Sequence, residues 1–197
     1  MQYNYEYLLK MLRKNSLTAK AINDIRWKLI QGCCANVKTV LDYGSGCNYL
    51  TAFAPSGISV DSYDIGTCHE GLLYPQTGIR RDCYDVVCLF DVMEHVDWEN
   101  NPDKMMLKMM GNVRYLVIAV PIFKGGIFEQ WRHYKPGEHL TYFTHQSLND
   151  LLQPLGLALI YQGEDECPPR LDIGTFIYTK GNFNAEKGNT KAGTMSG

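Results

Sequence analysis

A glycine-rich turn that directly follows an apolar run is the feature that most constrains the fold of this chain. Val40 and Leu41 precede Asp42, and the turn Gly44-Ser45-Gly46 comes next. Glycine allows positive φ and lets a backbone approach a ligand closely, while N–H groups at the start of a following helix face that ligand. The pattern therefore predicts a buried strand, a ligand-binding turn and a helix in succession.

The rest of the chain alternates strand and helix patterns, which predicts an α/β fold with a covered, parallel sheet. The predicted strands are 38–43, 58–64, a short third strand within 66–83, 85–90, 113–120, 157–161 and 172–178. The last two are expected to close the sheet as an antiparallel pair. The expected fold class is a Rossmann-like three-layer sandwich, with a mostly parallel twisted sheet and one antiparallel strand near the C-terminus.

Three regions are expected along the chain. Residues 1–34 carry two apolar stripes at helical spacing, separated by a capping break at Asn15-Ser16. This segment is expected to pack on the sheet, or alternatively to form a lid over the site. Residues 35–180 are expected to form one domain. Residues 181–197 lack apolar periodicity and are expected to be a disordered tail.

Two later helices have start signals in the sequence. Asn101 is a capping amide, and Pro102 suits the first position of a helix. A second helix is expected to be capped at Thr144 and to end near Gly156. Both would cover the sheet.

Composition limits the classes of partner. The 197 residues include 19 lysines and arginines against 21 aspartates and glutamates, without a basic stripe, so a nucleic-acid acceptor is disfavoured and a small-molecule acceptor favoured. Without a secretory signal or a run of about 20 apolar residues, we expect a cytoplasmic protein with no membrane contact. The seven cysteines contain no Cys-x-x-Cys pair, and no pair of closely spaced ligands suggests zinc, so no metal site is expected. Their odd number, with Cys88 inside an apolar strand, predicts reduced thiols.

Two carboxylates indicate which cofactor the turn binds. Asp64 lies about 20 residues past the glycine turn, at the end of the second predicted strand, where it can accept hydrogen bonds from ribose hydroxyls. Asp61 is the competing candidate. Asp42 at the head of the turn would repel a pyrophosphate but suits the ammonium group of an amino acid. These positions favour S-adenosylmethionine over a nicotinamide dinucleotide.

Successive motifs resemble those of the class I S-adenosylmethionine-dependent methyltransferases. They are Val40-Leu41-Asp42-Tyr43-Gly44-Ser45-Gly46, Tyr63-Asp64, Tyr84-Asp85-Val86-Val87 and Asp91-Val92-Met93-Glu94-His95-Val96. The stretch Gly137-Glu138-His139-Leu140-Thr141-Tyr142-Phe143-Thr144, followed by Ser147-Leu148 and Leu155-Gly156, resembles the branch that acts on small molecules such as quinones and sugars. The resemblance extends over about residues 35–180.

The resemblance implies a set of cofactor-binding residues at the strand ends. These are Asp42, Gly44, Ser45, Gly46, Asp64, Ile65, Phe90 and Asp91. The turn would hold the methionine part of the cofactor, Asp64 the ribose, and Phe90 with Asp91 would line the cofactor. Asn48 stands where the family has a third glycine, and asparagine tolerates left-handed backbone geometry.

Candidate catalytic and acceptor residues lie near and within the long connection 122–143. His139 is a candidate base or substrate contact, because such connections are disproportionately functional. His95 either contacts the substrate or is structural. Trp131, Tyr134 and Tyr142 either wall an acceptor pocket or fold the connection back on the sheet. The expected reaction is methyl transfer to O, N or C of a sugar, quinone, lipid-like or nucleotide-derived molecule. The alternative is a non-catalytic S-adenosylmethionine-binding or partner protein on the same fold.

Overall fold

The computed structural model describes residues 5–65, 77–166 and 170–181, with side chains from residue 18 onward. Residues 77–83 contain no strand, and the rest of the region expected to hold the third strand lies outside the described residues. The predicted disordered tail also lies outside them, apart from its first residue. No helix in the described ranges combines the length and the apolar character needed to cross a membrane.

The described strands form one mixed sheet. They are β1 (Thr39–Tyr43), β2 (Ser59–Tyr63), β3 (Tyr84–Phe90), β4 (Val113–Pro121), β5 (Leu157–Gly163) and β6 (Ile173–Lys180). Their order in the sheet is β2-β1-β3-β4-β6-β5. Only β6 is antiparallel to its neighbours, β4 and β5, which confirms the predicted antiparallel strand near the C-terminus.

Four α-helices accompany the sheet in the described residues. They are α1 (Tyr5–Cys33), α2 (Tyr49–Ala52), α3 (Lys104–Gly111) and α4 (His145–Leu152). The predicted break at Asn15-Ser16 is wrong, because α1 continues through it. Asparagine and serine each cost only about 0.5 kcal/mol relative to alanine inside a helix, which is too little to end one.

Of the two predicted helix caps, one is wrong and the other is confirmed. Asn101 does not cap α3; the cap is Asp103, whose carboxylate accepts hydrogen bonds from the N–H groups of Met105 and Met106 at 2.9 and 3.0 Å. A charged acceptor at this position interacts favourably with the helix dipole, which explains the shift of two residues. Thr144 caps α4 as predicted, in a capping box with Ser147.

The sheet has an apolar core on each face, as the three-layer prediction requires. Alternate strand residues point to opposite sides. On one side, the strand residues Leu41, Val87, Leu89 and Leu116 pack with Met106 and Met109 of α3 and with Leu148 and Leu152 of α4. On the other side, Val40, Val86 and Val117 pack with Trp27 and Ile30 of α1 and Leu50 of α2. The carboxyl ends of the parallel strands β1, β2 and β3 meet at one edge, where α/β sheets bind ligands.

Candidate active site

The turn after β1 is held against the end of β2. The N–H groups of Gly44 and Ser45 both donate to the Tyr63 carbonyl, at 2.7 and 3.0 Å. Gly44 has a φ of +81°, and a Cβ there would lie 2.3 Å from Cγ2 of Val92. Gly46 has a φ of +49°, and a Cβ there would meet no atom within 4 Å. Gly44 is therefore required by packing, whereas Gly46 borders open space.

Asn48 stands where the resemblance implies a third glycine. It adopts left-handed geometry with a φ of 60° and ψ of 31°, directly before α2. Its N–H donates to the Ser45 carbonyl at 2.8 Å, which closes the turn. The prediction that asparagine tolerates this geometry is confirmed.

Asp42 and Ser45 place buried polar groups beside the turn. Asp42 is 4% exposed and lies between Ser62 of β2 and Cys88 of β3. Burial raises the pKa of its carboxyl from 3.8 to about 7, a rise that Arg26 opposes and Asp64 reinforces. Ser45 Oγ is buried and has no hydrogen-bond partner among the described residues. A buried carboxylate and an orphaned hydroxyl fit the ammonium and carboxylate groups of an amino acid.

Asp64 and Asp61 have different roles at the end of β2. Asp64 faces the turn, where its Oδ2 accepts from the Gly46 N–H at 2.8 Å. Asp61 is buried and bonded by Arg80 Nε at 2.8 Å, by the Tyr84 hydroxyl at 2.7 Å and by Arg81. Although burial opposes them, these hydrogen bonds hold the pKa of Asp61 below its usual value. Asp61 is thus engaged in structural contacts, which favours Asp64 for a ligand.

Phe90, the last residue of β3, and Asp91, which follows it, contact charged residues. The Arg26 guanidinium of α1 lies over the Phe90 ring, 3.9 Å from its centroid. Asp91 has a left-handed φ of 58° and pairs with Arg170 and, at 3.8 Å, with Arg26. Arg26 Nε in turn lies 2.7 Å from Glu166 Oε1. The structure therefore places Asp91 in an ion-pair network that joins α1 to the segment before β6.

No sequence pattern indicated this network. Arg26 and Glu166 are 140 residues apart, and Arg170 and Asp91 are 79 residues apart. No local pattern relates residues at such separations. Ile65, from the implied cofactor set, follows Asp64 and is 79% exposed, at the end of the first described range.

A second polar group begins in the segment that follows Val92. The 3-10 helix Met93–His95 follows β3, and the Glu94 carbonyl accepts from the N–H groups of Leu140 and Thr141 at 2.8 and 3.1 Å. These main-chain bonds bring the connection after β4 against the 3-10 helix. As a result the rings of His95 and His139 lie 5.0 Å apart, edge to face.

Glu94, His95 and His139 bring acceptor atoms together at this point. Glu94 is 3% exposed and His139 5% exposed. Among the described residues, Glu94 Oε2 and His139 Nδ1 have no hydrogen-bond partner. Burial raises the pKa of Glu94 well above its usual value, and burial lowers the pKa of His139 to about 4. His139 is therefore neutral at pH 7. Glu94 had no assigned role in the sequence analysis, although its apolar neighbours in the motif signalled burial.

The predicted aromatic residues gather beside His139. The Phe128 ring lies 6.3, 5.0 and 4.9 Å from the rings of Trp131, Tyr134 and Tyr142. The Tyr142 ring is 6.2 Å from that of His139. The aromatic rings pack on one another and retain partly exposed surfaces. The structure thus brings the partly exposed rings of Trp131, Tyr134 and Tyr142 together beside the buried His139.

Comparison with protein families matches residues 11–162 to a family described as a methyltransferase domain. Among curated proteins, the chain is similar to ribosomal RNA small subunit methyltransferase I of Buchnera aphidicola subsp. Schizaphis graminum. The two are 29% identical over an alignment of 133 residues, and the match covers 60% of this chain and 44% of that protein. The chain thus spans less than half the length of this relative.

Solved structures share the fold at low sequence identity. A methyltransferase from Archaeoglobus fulgidus is 15% identical with a TM-score of 0.59, over 90% of this chain and 100% of that one. The 1,6-didemethyltoxoflavin N1-methyltransferase of Burkholderia thailandensis is 15% identical with a TM-score of 0.57, over 92% and 91% of the two chains. Magnesium protoporphyrin IX methyltransferase of Synechocystis PCC 6803 is 16% identical with a TM-score of 0.56, over 83% of each.

Proposed function

Because the chain belongs to the methyltransferase domain family, we propose that it transfers a methyl group from S-adenosylmethionine to a small-molecule acceptor bound between His139 and the aromatic connection. One observation carries this proposal most directly. Val92, which lies against Gly44 of the turn, belongs to the same short segment after β3 as Glu94 and His95, and these two residues cluster with His139, so the turn and the cluster lie at the same edge of the sheet. Such a layout suits two ligands that must meet.

The family match confirms the enzyme class that was predicted from the sequence. The chain is an S-adenosylmethionine-dependent methyltransferase with a Rossmann-like fold. S-adenosylmethionine is accordingly its cofactor, as in solved relatives that carry it or S-adenosylhomocysteine. A replaced glycine would favour the alternative of a non-catalytic partner protein, but Asn48 adopts the left-handed geometry open to glycine and so gives that alternative no support.

The cofactor would be held by residues of the turn and the strand ends. Asp42 offers a buried carboxylate to the ammonium group, and Ser45 Oγ together with the open space at Gly46 suits the remaining polar atoms. Asp64 would bind the ribose, and Phe90 and Asp91, beneath Arg26, would form the wall of the site. The exposed side chain of Ile65 would close over the same region. When bound, S-adenosylmethionine supplies an electrophilic methyl group.

The chain's own residues would orient the acceptor and remove its proton. His139 and His95 lie where they could contact the acceptor or take a proton from it. Trp131, Tyr134 and Tyr142 offer partly exposed rings beside them, and Ile127, Leu140 and Leu171 each expose more than half of their surface. This combination suits a planar or partly apolar molecule with a hydroxyl or amino group.

A ribosomal RNA acceptor is the second candidate, because the curated relative acts on small-subunit ribosomal RNA. Charge is the only property of the sequence that disfavours a nucleic-acid acceptor. A formal net charge of −2 without a basic stripe favours the small molecule. The two acceptor classes can be separated directly by experiment.

The proposal is tested by measuring S-adenosylmethionine binding calorimetrically and by following S-adenosylhomocysteine release with panels of acceptors. Hydroxylated quinones, aromatic heterocycles and nucleosides form one panel, and small ribosomal subunits another. We expect binding, turnover with a member of the first panel, and at least tenfold lower turnover in His139→Ala with unchanged cofactor affinity.

His145→Ala is the matched control, because that ring packs on Phe176 of β6. It should leave both readouts unchanged. Absence of S-adenosylmethionine binding would overturn the proposal, and turnover confined to ribosomal subunits would replace the small-molecule acceptor with RNA.

A further inference from the structure

We propose that Glu94, His95 and His139 form a binding site for a divalent transition-metal cation of the zinc class, at the acceptor side of the active site. This inference rests on the proposed function for its role in the reaction, though not for the existence of the site. The spacing of cysteines and histidines along the sequence predicted no metal site, because the three ligands come from two segments more than 40 residues apart.

The first support is the convergence of ligand atoms. One carboxylate oxygen of Glu94 and one ring nitrogen from each histidine lie within 4.8 Å of one another. A tetrahedral cation with bonds of about 2.1 Å holds its ligand atoms about 3.4 Å apart. Small rotations of the three side chains would therefore complete the site. Two imidazoles and one carboxylate are a donor set that suits Zn²⁺, Co²⁺, Mn²⁺ and Fe²⁺.

The second support is the state of the buried acceptors. Glu94 and His139 are each at least 95% buried, yet Glu94 Oε2 and His139 Nδ1 have no hydrogen-bond partner among the described residues. Buried polar atoms in native proteins are nearly always satisfied, so an orphaned pair in one cluster calls for an explanation. Both atoms carry lone pairs, and a cation between them would satisfy them together.

The third support is the orientation of His95. Its Nδ1 lies 2.9 Å from the Glu138 carbonyl, so Nδ1 carries the proton and Nε2 the lone pair. Nε2 is the nitrogen that faces Glu94, 4.0 Å from Oε1. Histidines that bind metals commonly donate their other N–H to a carbonyl in this way. The same peptide segment carries His139, so one connection positions two of the three ligands.

A cation at this site would assist the proposed reaction by binding and activating the acceptor. It would leave open positions for an oxygen of the acceptor, since the protein supplies only three ligands. A bound hydroxyl loses its proton more readily, so the cation would favour the nucleophilic form of the acceptor. In that arrangement His139 acts as a ligand rather than as a base, and the proton passes to solvent.

The experiment is a Co²⁺ titration of the full, chelator-treated protein, followed by visible absorption and by calorimetry with Zn²⁺. We expect one equivalent to bind with a spectrum typical of nitrogen and oxygen ligands. Glu94→Gln, which keeps the shape of the side chain, and His139→Ala should each weaken binding at least 100-fold. The matched control His145→Ala should bind like the wild type.

Two further measurements keep the result interpretable. Circular dichroism checks that each variant folds, and if His139→Ala does not, Glu94→Gln alone decides the question. S-adenosylmethionine calorimetry on the same samples separates the two proposals. Cofactor binding without Co²⁺ binding, or equal Co²⁺ affinity in wild type and Glu94→Gln, overturns the metal site and leaves the proposed function. Co²⁺ binding that depends on Glu94, without cofactor binding, supports the metal site and overturns the proposed function.

Discussion

Replacing Asp42 with asparagine should stabilise the unliganded protein at alkaline pH while weakening its affinity for the cofactor. Burial raises the pKa of this carboxyl from 3.8 to about 7. Ionising it therefore costs about 4 kcal/mol more in the folded than in the unfolded protein. Because Asp42 is 4% exposed, solvent screens this cost little. Asparagine removes the ionisation with almost no change of shape.

The sign of the pH dependence follows from the direction of the pKa shift. The folded protein holds the Asp42 proton more tightly than the unfolded chain does. The penalty is therefore absent below the unfolded pKa, grows as the pH rises from about 4 to 7, and is complete above the folded pKa. Between pH 5.5 and pH 8 the wild type should lose about 2 kcal/mol of unfolding free energy that the Asp42→Asn variant keeps.

Urea denaturation of both proteins at the two pH values measures this difference. Asp82→Asn is a suitable control, because the Asp82 side chain is 71% exposed and should change the pH dependence little. Calorimetry with S-adenosylmethionine should show 5- to 150-fold weaker binding to Asp42→Asn, about 1–3 kcal/mol for a lost charged hydrogen bond. Equal pH slopes in wild type and Asp42→Asn would refute the burial penalty, and unchanged affinity would refute the assignment of Asp42 to the ammonium group.

Three further substitutions test the turn and its surroundings. Gly44→Ala should lower the unfolding free energy by at least about 1 kcal/mol, through positive φ and collision with Val92; in chemical denaturation Val92→Ala should recover only the steric part, and full recovery would argue against backbone strain. Asp64→Ala should weaken cofactor binding by about 1–3 kcal/mol in calorimetry, and unchanged affinity would count against the ribose assignment. Asp103→Ala should lower the melting temperature, because it removes the cap of α3 and the 2.6 Å bond to the Tyr43 hydroxyl, at a cost of about 1–3 kcal/mol; a melting temperature equal to that of the wild type would contradict this.

Local signals predicted the fold well because each is a property of neighbouring residues. Apolar runs located the described strands to within one or two residues at most ends, and Thr144 capped α4 through a box with Ser147. Where two local signals competed, the prediction failed. Asn101 and Asp103 both suit a helix cap, and the structure uses the one whose carboxylate reaches two N–H groups.

Asp61 and Asp64, at the end of β2, show how far sequence position can identify a ligand-binding acid. Position at a strand end favoured Asp64 over Asp61 as the ligand-binding acid. The structure adds the reason, because Asp61 is bound by two arginines and Tyr84. Those partners follow β2 by about 20 residues and had no visible link to it. Sequence position was therefore sufficient to prefer Asp64 for the ligand, but it could not show that Asp61 binds these three side chains.

Strand period, turn geometry and residue spacing are local, so the alternation of strands and helices, the glycine turn and its two acids could be predicted from neighbouring residues. The groups that surround the end of β3 depend on tertiary packing. Docking of residues 138–141 on the 3-10 helix after β3 set His139 beside Glu94, and the ion pairs of Arg26 and Arg170 joined α1 to Asp91 and Glu166. These contacts join segments 40 or more residues apart, so they depend on how the layers pack, which no local pattern encodes.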